Sequence, residues 1–296
     1  MAEAARIVEG IGADIVDVNM GCPVPKIAKG HAGCRLMREP EQAVAIVSAM
    51  VGAVKIPVTV KMRSGWDDKQ VVAPEFAARM EGAGAAAVTV HGRTGAQAFR
   101  GSSDWDVIAR VARAVKIPVF GNGDCVEAGQ VVDRWHESGV AGVLVGRGVV
   151  RNPWMLAQAA DVAAGRAPRA VEAADRARFL LDYIELLMGE PDSEPGGFRH
   201  APSHEGREHR PAGGHRRTTR SRAASTARDR ERWVIGKVRA LAAWYTKGLE
   251  GGAEFRATIN RADSIDRVRE SLRRLFGGAP GASHGGEVTA DADLRV

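Results

Sequence analysis

Aromatic residues are scarce in this chain of 296 residues, at 5% of positions. Apolar residues still make up 45%, so a core of ordinary size has to be built mainly from Val, Ile, Leu and Ala. No apolar run approaches the roughly 18 residues that a membrane span needs, and no membrane association is expected. The opening MAEAARIVEG carries acids and lacks an apolar h-region, so no signal peptide is expected. Cysteine is limited to Cys22, Cys34 and Cys125, an odd number without a CxxC pair. That argues against a disulfide scaffold or a zinc ribbon and fits a reducing cytoplasm.

Charge is present but unevenly placed. The net formal charge is +6, and residues 196–276 hold about twice as many Lys and Arg as Asp and Glu. The remainder is slightly acidic. A near-neutral body with a basic C-terminal part suggests a polyanionic partner, and is equally read as a solvated, Arg-rich tail.

Five strand-like runs are legible: 14–18 (DIVDV), 57–61 (PVTVK), 86–90 (AAVTV), 118–120 (PVF) and 141–145 (AGVLV). Helical patterns lie between them, as at 41–54 and 126–138. Strand alternating with helix predicts a parallel α/β architecture. AVKIPV occurs at 53–58 and again at 114–119, the spacing of two βα units of about 30 residues each. NMGCP, KMR, HGRT, GNGD and GRG each sit just after a strand. A (β/α)₈ TIM barrel keeps its active site on that face, whereas a doubly wound sheet binds only at a switch point. Closure needs eight strands and five are found, the first preceded by a half-helix. The expectation is an α/β TIM barrel truncated at its N-terminus, with about strands 4–8 present.

Four domains are expected. Residues 1–188 form the partial barrel, 232–276 a helical domain and 277–296 a flexible tail. Residues 189–231, rich in Gly, Pro, Ser, Arg and four histidines (200, 204, 209 and 215), form a disordered basic linker, an insertion or a frameshifted stretch. That histidine spacing lacks a supporting helix pattern, and no metal site is expected.

Cys22, between Gly21 and Pro23 at the end of a strand, is either a small buried hydrophobe or a reagent held over a pocket. A thiol with an ordinary pKa of about 8.5 can act as an acid at neutral pH. Asn19 reads as a turn former or a ligand amide. Lys61 at a strand end needs an anion or a polarised group if it points inward, and nothing if it lies on the surface. His91 is a ligand contact or a satisfied core histidine. Asn122-Gly123-Asp124 is a phosphate loop or a generic turn.

NMGCP, TVKMR, VHGRT, GNGD and GRG, in this order, resemble the tRNA-dihydrouridine synthase family. The resemblance covers roughly 11–160 strongly and 232–275 more loosely. It implies an FMN enzyme, reduced by NADPH or NADH, that converts uridine to 5,6-dihydrouridine in tRNA. By the same resemblance Cys22 is the catalytic acid that protonates C5 of the uracil. Lys61, His91, Asn122, Gly123, Asp124, Gly146 and Arg147 bind FMN, with Lys61 at its pyrimidine end and the two glycine loops at its phosphate. Asn19 is expected to hold the uracil or the flavin edge, Arg63 to face RNA, and Arg93 to contact RNA or flavin. The C-terminal helical domain grips tRNA through Lys237, Arg239 and Lys247, with Arg256 and Arg261 beside them. Trp244 and Tyr245 either stack bases or fill a core. Cys34 and Cys125 are structural. The family's first three strands, which carry further flavin contacts, have no counterpart here. No stable protein partner is expected, and the location is cytoplasmic. Two rivals remain: another FMN-barrel reductase of small molecules, and a catalytically inactive RNA-binding fragment.

Overall fold

A computed structural model describes residues 1–189 and 227–276, and the chain divides into two compact units, Met1–Arg169 and Ala170–Val296. In the first unit the elements run α1 (Ala2–Gly10), β1 (Val16–Met20), α2 (Pro25–Lys29), a 3₁₀ turn (Gly33–Arg38), α3 (Pro40–Val51) and β2 (Val58–Arg63). They continue with α4 (Ala73–Gly82), β3 (Ala87–His91), α5 (Trp105–Ala114), β4 (Val119–Asn122), α6 (Ala128–Ser138) and β5 (Gly142–Leu144). Two further helices, α7 (Arg147–Arg151) and α8 (Met155–Ala163), complete it. The strands form one sheet in sequential order, every pair parallel. The expected parallel α/β class is present. Among the described residues β5 does not pair with β1, so the sheet is a row of five rather than a closed ring.

Period-two alternation decides which side of each strand is core. Val16, Val18 and Met20 of β1, Val58, Val60 and Met62 of β2, and Val88 and Val90 of β3 are buried. Helix residues such as Val47, Met50, Phe76, Met80, Ile108 and Val111 belong to the same cluster. Val, Met and Ile fill the volume that the scarce aromatics leave.

The repeat noted in the sequence has a physical purpose. Glu9, near the end of α1, accepts from the backbone N–H groups of Lys55 (2.7 Å) and Ile56 (3.2 Å) through Oε1. Glu81, near the end of α4, accepts in the same way from Lys116 (2.8 Å) and Ile117 (3.0 Å). Each carboxylate thus reaches from the helix before one strand to the turn before the next, where a proline follows. The recurring AVKIPV is one half of a two-part clasp. Its other half is EGIGA at 9–13 and EGAGA at 81–85.

The limits of the first four strands lie further along the chain than the polarity pattern predicts, while β5 falls within its expected span. The first is shifted to Val16–Met20 and the second runs on to Arg63. Asn19, Arg63, His91 and Asn122 are therefore strand residues rather than loop residues, as Lys61 already was in the sequence reading. Polar side chains on one face are compatible with ladder pairing, so polarity alone misplaces the ends.

In the second unit, α9 (Ala173–Gly189), α10 (Ala227–Tyr245), α11 (Gly252–Arg261) and α12 (Ile265–Phe276) form a helical cluster. The expected boundary at 188 is corrected, because α9 buries Leu180, Ile184 and Leu187 among these helices and belongs with them. The expected irregular stretch also shortens, since α9 runs to Gly189 and α10 begins at Ala227. Its remainder, with the four histidines, lies outside the described residues, as does the 277–296 tail. Ile265, Val268, Leu272 and Phe276 give α12 its buried stripe. No described helix is long and apolar enough to cross a membrane.

The clasp predicts that Glu81→Ala lowers unfolding free energy by about 1–3 kcal/mol, since two hydrogen bonds to a charged acceptor are lost and two backbone donors are left open. Chemical denaturation checks it, with Glu75→Ala, outside the clasp, as the control.

Candidate active site

Register fixes what faces the uncovered side of the sheet. Asn19 pairs with Lys61, Lys61 with Thr89, and Thr89 with Phe120. One step on, Arg63 pairs with His91, His91 with Asn122, and Asn122 with Leu144. In-register residues of parallel strands share a face. Two rows of mostly polar side chains, one across β1–β4 and the other across β2–β5, thus cross the C-terminal ends of the strands. These rows and the loops beyond them enclose a cleft of about 330 Å³. Asn19, Cys22, Lys61, Arg63, His91, Asn122, Gly123, Asp124, Gly146 and Arg147 all line it. Arg93 does not, and Lys237, Arg239 and Lys247 lie in the second unit.

The thiol-bearing loop is held on several sides. Asn19 Oδ1 accepts from Gly21 N (3.0 Å) and Cys22 N (3.1 Å), an Asx turn that leaves the amide nitrogen for a ligand. Arg63 Nε donates to Gly21 O at 2.8 Å. Cys34 N donates to Cys22 O at 3.1 Å. At Gly33 the φ of +60° and the approach matter together, since a Cβ there would sit 2.6 Å from Cys22 O. Cys22 remains half-buried at the cleft, while Cys34 and Cys125 are buried. Burial pushes the Cys125 thiol up to about 11 and also raises Cys34.

Two expected RNA contacts are corrected. Arg63 and Arg93 are each only 3% exposed, which leaves almost no guanidinium surface for RNA. Arg63 Nη1 donates to Thr94 O (2.8 Å) and Ala98 O (2.9 Å), so one side chain ties the Cys22 loop to the β3–α5 loop. Arg93 donates through Nε to Arg100 O (3.1 Å) and through Nη2 to Gly101 O (2.6 Å) and Asp124 Oδ2 (2.7 Å). Asp124 also accepts from Ser103 N at 2.7 Å and stands 3.5 Å from Arg147 Nη2. Its carboxyl is held below the usual range, the Ser103 N–H and Arg93 outweighing burial. Its φ of +51° is unusual for a residue with a side chain.

Asn122 donates from Nδ2 to Leu144 O at 2.8 Å, which docks β5 and leaves the amide oxygen toward the cleft. Gly123 has a φ of +140°, and a Cβ there would collide with Ser103 Oγ. At Arg147 and Gly148 the first N–H groups of α7 have no helical acceptor, and the Arg147 guanidinium is more than half exposed. Burial, with Arg63 adding to it and Asp17 opposing it, lowers the Lys61 ammonium pKa. Burial and the cations Arg63, Lys61 and Arg93 depress His91 to about 4, so its ring is neutral at physiological pH.

Phe99 is a cleft residue that the sequence reading missed. It is 62% exposed, lines the cleft and lies 5.9 Å from the Arg63 guanidinium and 5.3 Å from that of Arg147, measured to the ring centroid. The available signal was a lone aromatic in TGAQAFRGSS, a loop otherwise of small and polar residues.

The second-unit expectations divide. Arg239 donates to Ile259 O and Ala262 O, so it caps the end of α11 rather than standing free for RNA. Arg256 donates to Thr246 Oγ1, and Tyr245 is buried and stacked 5.2 Å from Phe179, a core role. Lys237, Lys247 and Arg261 are exposed, and so is Trp244.

A family model described as dihydrouridine synthase (Dus) matches residues 1–276. A Rhodobacter capsulatus protein named "Probable tRNA-dihydrouridine synthase" is 46% identical over 189 residues, covering 64% of this chain and 58% of that one. A Rickettsia conorii protein of the same name is 34% identical over 280 residues, covering 93% of this chain and 72% of its own. A Xanthomonas axonopodis protein named "tRNA-dihydrouridine synthase B" is 32% identical over 287 residues, covering 95% and 75%. The chain therefore spans between 58% and 75% of the length of these relatives.

The depressed His91 pKa has a stability consequence. Between pH 6.5 and about 4 the unfolded chain binds a proton at this position and the folded chain does not, so folding stability falls as pH falls through that window. His91→Gln removes this component. Its unfolding midpoint in urea is expected to drop less than that of the unaltered chain between pH 7.5 and pH 4.5.

Proposed function

The chain belongs to the dihydrouridine synthase family, and from that premise we propose that it reduces uridine in tRNA to 5,6-dihydrouridine, with FMN as cofactor and NADPH or NADH as reductant. The five strands are read as a sector of a (β/α)₈ barrel whose C-terminal face holds the flavin. The fit of these residues to FMN rests on two features. Open N–H groups at the start of α7 and the exposed Arg147 guanidinium suit a phosphate. The inward Lys61 and neutral His91 suit the carbonyl-rich edge of a flavin ring.

When bound, reduced FMN supplies the hydride that adds to C6 of the uracil. The chain's own part is to place and protonate. Cys22 gives its thiol proton to C5, and the thiolate left behind regains a proton from water. The Asx turn from Asn19 and the Arg63 bond to Gly21 aim that thiol without consuming it, and Asn19 keeps its amide nitrogen for a uracil carbonyl. His91, being neutral, donates or accepts a hydrogen bond and adds no charge. Lys61 and Arg147 both line the cleft and offset negative charge there. Asp124 orients Arg147 and is itself anchored by Arg93. Phe99 at the mouth offers a face to a planar ring. The helical unit supplies exposed Lys237 and Lys247 for tRNA phosphates, and the protein works in the cytoplasm.

The observation that carries this reading is the meeting of Cys22, Lys61, His91 and Arg147 around one cleft. Cys22→Ala is expected to leave reduction of bound flavin by NADPH near the unaltered rate and to cut dihydrouridine formation in tRNA by a factor on the order of 10²–10⁴. Stopped-flow absorbance reads the first and nucleoside mass spectrometry the second. Undiminished product would remove Cys22 from the reaction.

A further inference from the structure

A second cavity, of about 360 Å³, is lined by the loops that follow β1, β2 and β3. The thiol-bearing loop divides it from the cleft, since Cys22 lines one side and Pro23 and Pro25 line the other. Trp66, Ala96, Cys34 and Arg35 form the remaining wall.

Trp66 is fixed as a platform. Its main-chain N–H donates to Gln70 O at 3.1 Å, its main-chain carbonyl accepts from Ala96 N at 2.8 Å, and Gly95 N donates to Gly65 O at 2.9 Å. Trp66 is half-buried, with the Arg38 guanidinium 5.2 Å from its ring centroid. Arg35 gives Nε to Glu39 at 2.9 Å, which leaves its terminal nitrogens for another acceptor. Lys26, Arg35 and Arg38 stand in the same stretch of chain as the acid Glu39. An indole, two prolines and a surplus of cations suit a π-face joined to a phosphodiester. They offer little to read a carboxamide.

We propose that this cavity takes a nucleobase of single-stranded RNA, adjacent in sequence to the uracil that enters the cleft. The base stacks on Trp66, and Arg35 and Arg38 meet its phosphate. The proposal deepens the reading of the cleft as a uridine site and rests on it for the identity of the neighbouring base. Unstacked RNA bases splay apart and are caught singly on aromatic side chains, so the loop between the two cavities acts as a divider between successive bases.

Fluorescence anisotropy of labelled hexauridylate on the full chain tests this, with UMP binding followed separately by saturation-transfer NMR. Trp66→Ala is expected to weaken hexauridylate binding about tenfold, the scale of one stacked base, and to leave UMP binding unchanged. Trp66→Phe stays within about threefold. Ala96→Leu, which fills the cavity and leaves the indole in place, weakens hexauridylate as Trp66→Ala does, so a folding defect in one variant does not decide the matter. Equal affinity of both variants and the unaltered chain overturns the proposal. So does a Trp66 dependence found for NADH alone, which would make the cavity a nicotinamide site. Failure of the unaltered chain to bind UMP, with hexauridylate binding still dependent on Trp66, defeats the uridine reading and upholds the cavity.

Discussion

Arg63 stands between two loops that are distant in sequence, and its guanidinium donates to Gly21 O, Thr94 O and Ala98 O while only 3% exposed. A buried guanidinium without acceptors would cost several kcal/mol. Here three carbonyls are arrayed around a rigid fork, a geometry that a lysine ammonium cannot reproduce. The arrangement works in both directions. The arginine is tolerated because the loops present their carbonyls, and the loops hold their shape because the arginine is there. Cys22 sits on one loop and Phe99 on the other, so their separation across the cleft is set by a residue that need not touch substrate.

The same arginine sets the electrostatics. None of its acceptors carries charge, so its positive charge is not cancelled locally. Lys61 and Arg147 add to it, while Asp17 and Asp124 supply the opposing charge. Asp124 is already committed to Arg93 at 2.7 Å, which leaves Arg147, 3.5 Å away and exposed, only loosely engaged. A cleft with surplus cations and one loosely engaged guanidinium favours an anionic ligand. It also explains the neutral His91, since a further proton there would be repelled by three cations and poorly solvated. A ring kept neutral hydrogen-bonds without adding to the positive charge around it.

Much of this was legible in the residues. The parallel α/β class followed from alternating periodicities, and the motifs at strand ends named most of the cleft, including Asn19, Lys61, His91, Asn122 and Arg147. What failed has a common cause: one-dimensional reading sees that a residue is polar and misses what it already holds. Arg63 and Arg93 look available in the sequence and are committed to carbonyls and a carboxylate in the fold. Arg239 looks basic and is an α11 cap. The Glu9 and Glu81 clasps were invisible because each spans 35 or more residues, although the repeat they serve was plain. Phe99 was passed over for the opposite reason, being apolar in a loop where only polar residues were being sought.

Three cysteines lie in the first unit, two of them lining the cleft, and burial separates their roles more sharply than position does. A thiol that hands over a proton must leave a thiolate behind, and a thiolate in an apolar wall is costly. Cys125 lines the cleft, yet it is buried and its pKa is pushed to about 11; its thiol points to Gly123 O at 3.5 Å. Cys34 is 1% exposed and presses close to Gly95, where an added Cβ would lie 3.0 Å from its sulfur. Cys22 differs in being only half-buried at the cleft, with its backbone N–H held by Asn19 Oδ1.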